Sequence, residues 1–320
     1  MKPINVVVTC TKQKTVEADV SLQLRHIQGL TIPRRVAAWK KHADDWHGST
    51  VTARRLYAGD HWSVAREIQS FRPGGHPINL WVISAGFGLL SLDTPIPAYS
   101  ATFSTRHPDT VVLPEAVTAG DEAAICRRQW WNALTSLEWS REKPISVTDL
   151  AAEFSDCPLL IAASRNYLHA IQDDLATVTK QLQSADLLAL ISGGTDDLGQ
   201  LTSNLVPCDA RLQPLVGGIL RSLNVRALRH YLQNFRGGKI GCRTMSTAFQ
   251  AMLHQSPPRI RPQRLAVTDD ELRHFVSTAI RTRTHVSQTR LLQELRASGR
   301  ACEQTRFRTV FREVEAAYHE

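Results

Sequence analysis

The chain has 320 residues, of which 42% are hydrophobic and 21% charged, and a formal charge of +8. These values exclude a disordered or fibrous chain and fit two globular domains. No apolar run approaches the roughly 18–20 residues that a membrane-spanning helix needs.

In chain order, the N-terminus MKPINVVVTCTKQK has neither the apolar core nor the cleavage site of a signal peptide, so a cytoplasmic location is expected. Within it INVVVTC (4–10) is short, apolar and β-branched, and predicts a buried first strand. Residues 15–28 and 32–44 are expected to be helical. Asp60 is placed to cap a helix over HWSVAREIQSF, with Val64, Ile68 and Phe71 on one face. Gly74-Gly75 breaks that pattern, and INLWVIS (78–84) predicts a second strand. The following AGFGLLSLDTPIPAYSATFS is rich in Gly, Pro and Ser and reads as an irregular loop. A helix over 121–137 carries Trp130-Trp131, which fit either the core or an interface.

The clearest unit spans 158–194. PLLIAAS and DLLALISGG predict strands, and the helix between them places apolar residues at 167, 171, 175, 178 and 182. Strand, helix, strand implies parallel pairing with a right-handed crossover. The expected fold is therefore α/β, with a parallel or mixed sheet and flanking helices over residues 1–253. A Pro-rich linker follows at 254–266, and residues 267–320 predict a small all-α, helix–turn–helix-like domain. The six cysteines (10, 126, 157, 208, 242 and 302) form no CxxC pair, which fits neither a disulfide scaffold nor a structural zinc site.

The charge is uneven. Residues 211–320 carry 19 Lys and Arg against 8 Asp and Glu, a balance of +11, which leaves −3 for residues 1–210. All but one of those 19 cations are Arg, the side chain suited to bidentate phosphate contact. A basic terminal region on a near-neutral body points to nucleic acid; Arg-rich helices with solvated faces are the plainer alternative. Arg300, Gln304, Arg306, Arg308 and Arg312 lie on or beside the last helix and are the candidate nucleic-acid contacts.

In open α/β sheets, ligands bind beyond the carboxyl ends of the strands. Here those ends carry Cys10, Thr11, Lys12 and Lys14; Ser84, Gly86 and Gly88; Ser164, Arg165 and Asn166; and Ser192, Gly193 and Gly194. Small residues admit a ligand to the backbone, and the lysines supply charge. This set suits a nucleotide, a nucleobase with its sugar, or another phosphorylated ligand. It is neither a Walker A loop nor a GxGxxG fingerprint, so no cofactor is specified. Asp93 and Tyr99, in the loop after the second strand, are a candidate general base or ribose ligand and its neighbour; an Asx turn before Pro95 is the alternative for Asp93. Cys10 is a candidate nucleophile or a buried thiol. Gly217-Gly218 opens a helix decorated by Arg221 and Asn224, three apart and so on one face. Asp173-Asp174 are expected to face solvent and Asp196-Asp197 to form a turn, with metal binding the alternative for the second pair. No metal site is expected, because no HExxH or comparable spacing occurs.

The runs VVVTCTKQK, LYAGDHWSVA and LWVISAGFGLLSLDTPIPAYSATFS resemble a group of prokaryotic α/β domains with a CxKxK strand end and a later SAxxGL…PY motif. That group is similar to YaaA-like stress proteins and to domains associated with tRNA-guanine transglycosylase and archaeosine-type enzymes, some of them in anti-phage defence islands. The matching positions are Cys10, Lys12, Ser84, Gly88, Asp93 and Tyr99, within roughly residues 4–105. The resemblance implies nucleobase or nucleic-acid work and names no reaction.

The expected protein is thus nucleic-acid-associated and part of a defence or base-modification system. Its α/β pocket binds or processes a nucleotide or nucleobase, with Lys12 and Arg221 stabilising negative charge and Asp93 as base. Glycosidic-bond chemistry is the reaction class to test first. The rival is a non-catalytic scaffold or DNA-binding subunit of a multi-protein defence complex, with Trp130-Trp131 as interface anchors.

Overall fold

The computed structural model describes all residues except 140–143, 194–197, 258–264, 284 and 320. It divides into two compact units, Met1–Pro257 and Pro258–Glu320, so the boundary falls inside the expected linker. The helix Cys242–Gln255 runs into the first residues of that linker.

The first unit is built on a six-stranded mixed sheet. Its strands are β1 (Ile4–Thr9), β3 (Ile78–Ser84), β4 (Gly88–Ser91), β6 (Leu159–Ala162), β7 (Leu188–Gly193) and β8 (Leu205–Cys208). A separate two-residue antiparallel pair joins β2 (Val51–Thr52) to β5 (Pro95–Ile96). The order is β4-β3-β1-β6-β7-β8, parallel throughout except where β4 turns back on β3. Helices cover both faces, which is why β1 and β6 are buried at every position and read as unbroken apolar runs.

Two strands of the six-stranded sheet are absent from the sequence reading. β4 lies in the stretch expected to be irregular, because four residues beside a tight turn carry little periodicity. β8 is similarly short and contains Pro207, which suits its place at the sheet edge. Residues 15–28 form two short 3-10 turns, Val20–Leu22 and Leu24–His26, rather than a helix. The long crossover helix is broken at Ile171 into Arg165–Ala170 and Gln172–Gln181.

Trp130 and Trp131 are completely buried. Their indole nitrogens donate to Ala85 O at 2.8 Å and to Asp174 Oδ2 at 3.1 Å. They are core residues, and the interface expectation for them falls. Asp174 is buried as well, against expectation; Asp173 does face solvent, beside Asn132 and Arg128. All six cysteines are buried and free.

The second unit packs three helices, Asp269–Thr282, Gln288–Ala297 and Gln304–His319. Thr268 and Glu271 form the capping box that starts the first. Its core includes Leu272, Val276, Leu291, Leu295, Phe307 and Phe311. β9 (Leu265–Ala266) pairs in parallel with β10 (Arg300–Ala301). β10 occupies the connection between the last two helices, where a helix–turn–helix has a turn of about 3–4 residues. Among the described residues, no helix is long and apolar enough to cross a membrane.

Candidate functional site

The sheet has one topological switch point. β1 leads to β3 on one side, β6 leads to β7 on the other, and β1 and β6 are neighbours, with Val8 opposite Ala162. A cavity of about 510 Å³ opens beyond their carboxyl ends. That is the place and the size at which α/β proteins bind small ligands.

Each wall comes from a different element. Thr9, Cys10, Thr11 and Lys12 follow β1, while Ser164, Arg165 and Asn166 follow β6, and Gly193 ends β7. His61 comes from the helix Asp60–Ile68. Leu220, Arg221, Leu223 and Asn224 come from the start of the helix Leu223–Gln233 and the turn before it. These two helices are held together by ion pairs from Asp60 to Arg226 and from Glu67 to Arg229. The pairs draw Arg226 and Arg229 away from the cavity and leave Arg221 and Asn224 facing it.

The lining is cationic. Lys12, Arg165 and Arg221 carry positive charge, and no carboxylate is among the described lining residues. Asn224 is 7% exposed. Its Oδ1 accepts from the Val225 amide at 2.9 Å, and its Nδ2 makes no hydrogen bond to the described protein. This donor lies in the cavity wall and is open to a ligand acceptor. Leu220 and Leu223 supply an apolar wall. His61 Nε2 lies 3.4 Å from Thr9 Oγ1. Burial pushes the His61 imidazole down to about 4, against weaker opposing effects of Thr9 and Asp60, so it is neutral near pH 7.

Cys10, Thr11, Lys12, Gly193, Arg221 and Asn224 are therefore brought together as expected. His61, Ser164, Arg165 and Asn166 join them; the last three were visible as a strand end, whereas His61 carried no signal beyond its place in LYAGDHWSVA. The Cys10 thiol faces the Tyr167 hydroxyl at 3.2 Å. Burial raises the Tyr167 phenol well above its usual range, so the thiol's partner is a neutral hydroxyl rather than an activating cation.

Other expected residues lie elsewhere. Asp93 is exposed and paired with Arg54 at 3.1 Å. It follows the antiparallel strand β4, so its loop does not sit at the carboxyl ends of the parallel strands, and Asp93 does not line the cavity. Ser84, Gly86, Gly88 and Tyr99 form a buried scaffold instead. Ser84 Oγ lies 2.7 Å from Tyr99 Oη, which lies 2.9 Å from Tyr57 Oη. A Cβ on Gly86 would fall 2.7 Å from the Tyr99 ring. Gly88 has φ +69°, and a Cβ there would lie 2.7 Å from Ile145 O. Ser192 is buried within β7. Gly217 and Gly218 make the left-handed turn before the Arg221 segment without lining the cavity. Gly194 and Asp196-Asp197 fall outside the described residues.

Lys14 lines a second cavity of about 390 Å³ with Tyr99, Arg25 and Ser100, and Lys12 borders both. Arg25 is neutralised there by the fully buried Asp109, which it binds through Nε at 2.9 Å and through Nη2 at 2.5 Å.

In the C-terminal unit, Arg306 binds Asp269 at 2.6 Å and Arg300 binds Glu271 at 2.8 Å. Both hold the three-helix unit together. Gln304, Arg308 and Arg312 are exposed and spaced by four on the last helix. Neither Arg308 nor Arg312 makes an ion pair with the described residues. No group of three His, Cys, Asp or Glu side chains among the described residues is arranged to hold a metal ion.

No protein-family model matches the chain, and no match is found among curated proteins.

Proposed function

We propose that the switch-point cavity binds a phosphorylated ligand of the nucleotide class, and that the protein is nucleic-acid-associated, of the defence or base-modification kind its motifs imply. The observation that carries the first part is the Asn224 Nδ2 donor, which has no partner among the described residues and shares the cavity wall with Lys12 and Arg221, where no described lining residue is a carboxylate. Anionic oxygens would meet Lys12 and Arg221. A base or sugar would lie against Leu220 and Leu223, within reach of Asn224 and the neutral His61. With Asp93 outside the cavity, His61 is the group available to accept a proton from a ligand there.

The second part is supported by Arg308 and Arg312, which supply the charge for nucleic-acid contact, with Gln304 beside them. Arg300 and Arg306 are committed to ion pairs within the unit. Titration calorimetry with inorganic phosphate, nucleoside monophosphates and a short oligonucleotide tests both parts. Saturable binding of a monophosphate, lost in Arg221→Ala, is the expected result. Absence of any phosphate-dependent heat at low salt would remove the nucleotide reading.

A further inference from the structure

Lys14 sits in an unusual setting for a lysine. Its ammonium lies 4.3 Å from the centre of the Tyr99 ring and 5.7 Å from that of Tyr57. Its one hydrogen bond is a long one, 3.4 Å, to Thr11 O, and it makes no ion pair with the described residues. Asp109, the acid nearest in effect, is taken up by Arg25, Ser100 and the Arg25 amide. The site thus buries an amine against aromatic faces, and Glu17, the one carboxylate among the described residues lining this cavity, makes no ion pair with it. Burial accordingly lowers the Lys14 ammonium from its ordinary value, and the distant Cys10 and Asp109 oppose this only weakly. The amine is not sealed off, because it lines the second cavity, which meets the cationic one at Lys12.

We propose that the Lys14 amine is a carbonyl-reactive nucleophile that condenses with the aldehyde of an anionic, phosphorylated ligand whose phosphate is held at Lys12. The amine nitrogen attacks the carbonyl carbon, a C–N bond forms, and an amine proton passes to the carbonyl oxygen. The carbinolamine then loses that oxygen as water, leaving an imine between Lys14 and the ligand carbon; no oxidant or reductant takes part. A lysine becomes a nucleophile of this kind when desolvation keeps part of it uncharged at neutral pH. The Tyr57–Tyr99–Ser84 hydroxyl chain fixes the aromatic floor and holds the amine in place. The phosphate half of the proposal rests on the anion site argued above, whereas the reactivity of the amine does not.

The experiment treats the full chain with D-glyceraldehyde or with its 3-phosphate in the presence of cyanoborohydride, and maps the reduced adducts by peptide mass spectrometry. With either aldehyde, Lys14 is expected to be modified several-fold faster than the exposed Lys2, Lys41 and Lys239, since an ammonium lowered by burial leaves more free amine. The phosphorylated aldehyde is expected to react at lower concentration, with competition by inorganic phosphate, and Lys14→Arg is expected to lose the adduct at that position only. Selective labelling by the neutral aldehyde, with no gain from the phosphate, would keep the nucleophile and remove the anion site. Labelling of Lys14 no faster than of the exposed lysines would overturn the proposal, whatever the phosphate does.

Discussion

The Asp60 carboxylate accepts a hydrogen bond from the Ser222 hydroxyl at 2.5 Å and binds the Arg226 guanidinium, 166 positions away in sequence. Asp60 is not the helix cap that its position suggests. Gly59 takes the capping position at φ +91°, and Asp60, the first helical residue, reaches across to the helix Leu223–Gln233. This contact sets His61 opposite Arg221 and Asn224, and so gives the cavity its width.

Asp60→Asn is therefore expected to weaken ligand binding more than it weakens the fold. The pair is partly exposed, so the stability loss should be about 1 kcal/mol or less. Monophosphate affinity should fall several-fold as the two helices separate. Urea unfolding and calorimetry on the same variant separate the effects, and equal losses in both would contradict a positioning role.

His61 makes stability depend on pH. Its folded value of about 4 lies below the ordinary 6.5, so the unfolded chain binds the extra proton between those values. Stability from this group is complete above pH 6.5 and declines as pH falls toward 4, by up to about 3 kcal/mol. His61→Gln should flatten that part of the curve, measured by denaturant midpoints at stepped pH.

Arg221→Ala and Asn224→Ala should each reduce phosphate-ligand affinity by about 10- to 100-fold, the cost of one hydrogen bond to a charged group. Asp93→Asn should leave affinity unchanged, because Asp93 is on the surface with Arg54. Parallel titrations of the three variants decide whether the cavity or the loop after β4 holds the ligand.

On the last helix, replacing both Arg308 and Arg312 by Ala should lower the salt dependence of duplex DNA binding. Two lost phosphate contacts reduce the slope of log K against log salt by about 1.8. Arg306→Ala should instead destabilise the unit by removing its Asp269 pair. An unchanged slope in the double variant would move nucleic-acid contact off this face.

Gly88→Ala tests why the SAxxGL motif is present. A positive φ and an approach of 2.7 Å to Ile145 O predict a loss of about 1–3 kcal/mol with no direct effect on ligand affinity. Thermal unfolding and calorimetry together distinguish this scaffold role from a binding role.

Length, charge and apolar runs determined the α/β class, the four long parallel strands, the Arg-rich helical tail and much of the cavity wall. Those features are local: a β-branched run is buried wherever it pairs, and a polar strand end in a parallel sheet lies at the ligand edge. Thr11, Lys12 and Gly193 were legible for that reason, and Arg221 and Asn224 from the Gly-Gly turn that opens their helix. The tertiary structure alone decided the rest. It turned β4 antiparallel and so removed Asp93 from the site, buried Trp130 and Trp131, and tied Arg300 and Arg306 into ion pairs. It also set His61 beside Thr9 and the Lys14 amine over Tyr99. Each of these depends on the direction of one strand or on a partner far away in sequence, and neither is encoded in the spacing of nearby residues.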